Sequence, residues 1–154
     1  MISLVKGVLL TIPIDTALEG VRRCALSNFL RRKIMASIQD SLQELLTIEG
    51  ALGAAVVDYE SGMVLGSAGG GVDLELAGAG NARVIKAKME TKKSLGIDEQ
   101  VIEDMLITLT SHFHIIRPTA SHEGLFIYLV LDKARSNLAL ARHKVRAIEK
   151  VLEI

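Results

Sequence analysis

Two runs of eight residues constrain this chain more than any other feature. ALGAAVVD (51–58) is apolar on both of its alternating sets of positions, and LFIYLVLD (125–132) is apolar enough to be a central strand. A strand with one wet face alternates apolar with polar residues, whereas a run apolar on both sides belongs in a sheet covered on both faces. Turn chemistry bounds each run. Tyr59-Glu60-Ser61-Gly62 follows the first, and Ser121-His122-Glu123-Gly124 precedes the second. The chain must therefore build a sheet with helices above and below it.

The remaining segments supply those layers. Ile34, Ile38, Leu42, Leu45 and Leu46 form one apolar helical stripe over 34–48, and Gly50 ends that helix. MVLGS (63–67) returns as a second strand. Asp73 is a good N-cap for a helix from about Leu74 to Ser94, with Glu75 in its first turn, Lys92 and Lys93 in its last, and Gly96 as its stop. Ala77, Gly80, Val84, Ala87 and Thr91 mark one face of this helix. Gly78 and Gly80 each cost it about 1 kcal/mol relative to alanine, which implies close approach by a sheet or a second helix. VIEDMLITLT (101–110) reads as a third strand, with Met105, Ile107 and Leu109 on one side. After a turn at Ser111-His112, FHIIRP (113–118) is a fourth. From about Ser136, Leu138, Ala141, Val145, Ile148 and Leu152 follow helical spacing to the end. Short connections between strands one and two, and among three, four and five, imply antiparallel pairing.

Composition removes several function classes. The 154 residues carry 18 basic and 18 acidic side chains, so no bulk charge favours nucleic acid. No Trp, two Tyr and three Phe leave little for stacking on single strands. The single cysteine, Cys24, gives neither a disulfide framework nor a thiolate zinc site, and a cytoplasmic location is expected. The charge is nonetheless uneven. Residues 1–33 hold six Lys or Arg against Asp15 and Glu19, a net of +4, and 34–154 carry the opposite. Within this arm Leu18, Val21, Ala25 and Phe29 recur at helical spacing, a pattern that fits a basic amphipathic helix on a membrane or partner. The other reading takes Met35 as the natural start and leaves the arm without a role.

Candidate chemical sites are sparse. GSAGGG (66–71) lacks the Lys-Ser/Thr of a phosphate loop and reads as a corner between strand and helix. His112, His114 and His122 suggest a metal site, yet no acidic residue or cysteine lies at a suitable spacing, and a solvated strand end is the better account. His143 reads as exposed on the last helix. Ser61-Gly62 lacks the nucleophile-elbow pattern. Arg117, before Pro118, is either a partner contact or a solvated side chain. No catalytic residue, cofactor or metal is expected, and the chain does not read as an enzyme.

LFIYLVLDKARSNLALARHKVRAIE (125–149), GALGAAVVDYESGMVLG (50–66) and DMLITLTSHFHIIRP (104–118) together resemble the Roadblock/dynein light chain family, including its bacterial stand-alone members. The resemblance covers about 35–154. It implies an α/β (α+β) fold, a profilin-like or longin-like sandwich whose five-stranded antiparallel sheet runs in the order 2-1-5-4-3. First and last helices lie on one face and the middle helix on the other. It also implies a homodimer joined through the middle helix and third strand, here Ala77, Gly80, Val84, Ala87, Asp104, Leu106 and Thr108. The implied function is a non-catalytic scaffold that binds and regulates a small Ras-like GTPase, and Arg83, Lys86 and Glu90 are candidate contacts. The alternative is a structural adaptor or membrane-tethering subunit without GTPase regulation, the membrane contact depending on the arm. A small-molecule sensor ranks behind both, because small residues line the middle helix.

Overall fold

The computed structural model describes residues 37–152 and 154. The basic arm 1–33, Cys24, Ile34 and the alternative start at Met35 lie outside the described residues. Because Ile38, Leu42 and Leu45 recur on one face, 37–46 forms an amphipathic helix, α1, with all three side chains buried. Beyond it come strands β1 (Ala51–Asp58) and β2 (Val64–Gly69), helix α2 (Leu74–Ser94), strands β3 (Met105–Thr108), β4 (His112–Pro118) and β5 (Leu125–Asp132), and helix α3 (Leu138–Val151). All pairings are antiparallel, and the sheet order is β2-β1-β5-β4-β3.

The two runs with apolar residues on both sides lie side by side at the centre, Ala55 opposite Tyr128 and Val57 opposite Phe126. Their alternation divides the core into two layers. Ala54, Val56, Ile127, Leu129 and Leu131 pack against α1 and α3 through Ile38, Leu42, Leu45, Val145 and Ile148. Ala55, Val57, Phe126, Tyr128 and Val130 pack against α2 through Leu74, Ala82 and Ile85. Each large side chain removed from water this way contributes about 1.5–3 kcal/mol.

Several boundaries differ from the sequence reading. The first helix stops at 46 rather than 48, although Ile48 stays buried in the turn that follows. The second strand runs on through Gly69, where φ is +80° and a Cβ would collide with the Leu52 carbonyl oxygen. Gly70 N–H donates to that carbonyl at 2.8 Å. The glycine run is thus the corner expected of it, and Asp73 accepts from Leu76 N–H at 3.0 Å to start α2. β4 begins one residue early, at His112, whose carbonyl accepts from Leu109 N–H. β3 is four residues long rather than ten, because side chains claim the backbone before it. Lys92 holds the Asp98 and Gln100 carbonyls, and Arg117 holds that of Glu103.

Candidate docking surface

Helix α2 carries three distinct rows. Leu74, Gly78, Ala82 and Ile85 are its buried row. Gly78 lies against the sheet, where a Cβ would stand 2.8 Å from the Val64 side chain and 3.1 Å from that of Val57. Its close approach is therefore to the protomer's own strands. Gly80 differs, for nothing lies within 4 Å of the Cβ it lacks.

The second row faces away from the sheet. Gly80 is followed by Val84, which is 42% exposed, and by the exposed Ala87 and Thr91. Two residues missed in the sequence extend it, Leu76 (70% exposed) and Leu95 (63% exposed). Their four-residue spacing from Gly80 and Thr91 was the signal that could have found them. Ala77, at the margin of this row, is half-buried against the α2 side of the core.

The third row is charged and borders the β1–β2 turn. Arg83 and Lys86 line a shallow cleft of about 300 Å³ with Tyr59, Glu60, Ser61 and Gly62, and Glu90 adjoins it beside Met89. Lys86 Nζ donates to the Glu60 carbonyl at 2.7 Å and lies 3.8 Å from its carboxylate. The turn itself is cross-linked. Ser61 Oγ donates to Asp58 at 2.7 Å, Asp58 also accepts from Glu60 N–H, and Met63 N–H donates to Ser61 Oγ. The Ser61 hydroxyl, more than any other contact, holds the Asp58 carboxyl below the usual range. Ser61 is thereby committed to turn geometry.

From α2 a polar chain crosses the sheet toward β3. Asn81 lies beside the Tyr128 hydroxyl, and that hydroxyl meets His114 Nδ1 at 2.8 Å. Burial pushes the Tyr128 hydroxyl up, an effect Asn81 partly offsets. Across the strand pair His114 stands opposite Ile107 of β3. His114 is thus tied to Tyr128, contrary to the solvated strand end expected of it. His122, assigned the same role, lies 3.0 Å from the Leu152 carbonyl through Nε2. His143 is exposed on α3.

Among the described residues β3 forms the sheet border, with β4 as its only strand partner. Met105 and Ile107 lie on its α2 side, and Leu106 packs toward α1 and α3. Thr108 is exposed at the strand's end. Asp104 is held within the protomer by a two-pronged pair with Arg142 of α3, one prong at 3.0 Å. Arg117 is likewise internal. Its guanidinium lies 3.3 Å from Glu149, with side chains only 11% and 5% exposed. Among the described residues no group of three metal-ligating side chains converges, and no helix is long and apolar enough to cross a membrane.

The sequence matches no protein-family model and no curated protein. Solved structures do share its fold. MglB of Myxococcus xanthus aligns with a TM-score of 0.63 at 18% identity, over 79% of this chain and 86% of that one. MglB with a tetrameric arrangement gives 0.66 at 19%, over 77% and 87%. A Roadblock/LC7 domain from Streptomyces avermitilis gives 0.61 at 11%, over 75% and 91%.

Proposed function

We propose that this chain, whose fold is of the Roadblock type, is a non-catalytic homodimeric platform that binds and regulates a small Ras-like GTPase. The division of α2 into a sheet-facing row, an apolar outer row and a charged row is the observation that carries the reading. Leu76, Gly80, Val84, Ala87, Thr91 and Leu95 are spaced symmetrically about the point midway between Val84 and Ala87. Two antiparallel copies of α2 crossing there would bring Leu76 of one near the partner's Leu95, and Gly80 would admit close packing. The β3 border lies on the same side of the molecule as the Asn81–Tyr128–His114 chain, and pairing it with a second β3 would satisfy its free backbone groups. Solution of one structure of similar fold in a tetrameric arrangement supports self-association.

Pairing would leave Arg83, Lys86 and Glu90 of both copies along the outside of the helix pair, beside the cross-linked turns. This charged, rigid surface suits the switch segments of a GTPase, a partner to which the Roadblock resemblance points. Such a platform regulates by holding one switch conformation more tightly than another, since only differential affinity shifts an equilibrium. The test is binding of the full chain to Ras-like GTPases from its own genome, each loaded with GDP or a non-hydrolysable GTP analogue. Affinity in the micromolar range for one nucleotide state is expected, and Arg83→Glu should weaken it roughly tenfold. An intact dimer that binds no GTPase in either state would sink this reading and leave the structural adaptor.

A further inference from the structure

We propose that His114 makes the association of two copies acid-sensitive, so that the dimer separates below neutral pH while each protomer stays folded. This rests on the homodimer reading above and adds a control to the same surface.

The histidines alternate along β4 and so share one side of the sheet, their ring centroids 6.2 Å apart. It is the side of Ile116, Met105 and Ile107, the part of the sheet that runs out to the free border. His114 is poorly placed to take up a charge. Its Nδ1 lies 2.8 Å from the Tyr128 hydroxyl, and its Nε2 has neither solvent contact nor a hydrogen-bond partner among the described residues. An imidazolium needs an acceptor at both nitrogens, and Nε2 has none.

No surrounding group rewards the charge. On β5, His114 faces Val130 and Tyr128; on β3, it faces Ile107. The nearest acid by register is Asp132, opposite His112, and its carboxylate accepts from Ala134 N–H. α2 offers neutral Asn81, beside Tyr128. Burial, and then the neighbouring His112, hold the His114 imidazole below its ordinary value of 6.5.

The sign follows from linkage. A histidine whose pKa is lowered by burial is neutral above the ordinary range, and proton uptake on acidification favours the state that hydrates it better. A second copy laid over this side would withdraw more water from around the His114 ring. The separated protomers therefore bind protons more readily than the pair, and the dissociation constant rises as pH falls below the ordinary histidine range.

Sedimentation equilibrium of the full chain at pH 7.5, 6.5 and 5.5, with far-UV circular dichroism on the same samples, tests this. The dissociation constant is expected to rise about tenfold or more from pH 7.5 to 5.5 with the circular dichroism unchanged. His114→Gln, which retains polar hydrogen-bonding groups but cannot charge, should reduce that rise to roughly threefold or less. His143→Gln, on the exposed side of α3, should keep the full response. A constant dissociation constant, a full response in His114→Gln, or loss of helical signal at pH 5.5 would each overturn the acid switch while leaving the dimer. A protomer that stays monomeric at pH 7.5 overturns the dimer itself, and the switch with it.

Discussion

Val84→Asp should yield a monomer at concentrations where, on the proposed pairing, the unaltered chain associates. Val84 stands beside the middle of the outer row of α2, so the proposed two-fold axis sets each Val84 against the partner's Ala87. The two copies of residue 84 then lie within about one helical turn of each other. The substitution would desolvate two like charges close to one another at the centre of the contact. Loss of central packing and the buried repulsion together should weaken association on the order of 100-fold, about 3 kcal/mol. The protomer should keep its thermal midpoint within a few degrees, because 42% of the residue is already exposed and it lies outside the buried row. Light scattering with a melting curve separates the two effects. A Val84→Asp protein that pairs with unchanged affinity would remove α2 from the interface.

Glu149→Ala acts instead on the protomer. Both oxygens of this buried carboxylate are used. Oε2 receives Arg117 at 3.3 Å, and Oε1 receives the Ala120 N–H at 2.9 Å. The other arm of Arg117 donates to the Glu103 carbonyl at 3.1 Å. One ion pair thereby fastens α3 to β4, to the turn after it and to the lead-in of β3. Removing the carboxylate strands a guanidinium that is only 11% exposed, a change that costs about 3–5 kcal/mol. Urea unfolding should show the lower midpoint. Arg117→Met on the Glu149→Leu background should recover much of the loss, since a well-packed apolar pair replaces a buried ionic one without an uncompensated charge. A loss under about 1 kcal/mol for Glu149→Ala would mean that the pair is open in solution.

These two sites show where the sequence was readable. Helix α2 was legible from Asp73 to Ser94 because cap, first-turn acid, last-turn bases and stopping glycine all agree. The central strands were legible because apolar residues on both sides fit only a covered sheet. The outer row of α2 followed from periodicity, although its ends, Leu76 and Leu95, were not extracted. Gly78 and Gly80 could not be told apart, since spacing alone does not say which neighbour stands over a missing Cβ. Arg117 and His114 were less readable still. Their partners lie 32 and 14 residues away, on elements that only the completed sheet brings near. Likewise β3 was overestimated, because Lys92 and Arg117 divert backbone groups that a local pattern assigns to the ladder.

The sheet's other limit has a consequence for how far assembly can proceed. Where β2 meets β1 the register slips between Val56 and Val57, leaving Leu65 without a counterpart, and the strand ends on a left-handed glycine. Such an irregular rim is a poor template for another chain, unlike the regular ladder that β3 keeps with β4. Two molecules joined at β3 would turn their kinked rims outward at both extremities, so propagation by strand addition halts after a single union. Concentrated protein should accordingly bind no thioflavin T, and any higher-order body it forms must grow by way of its helices rather than as a fibre.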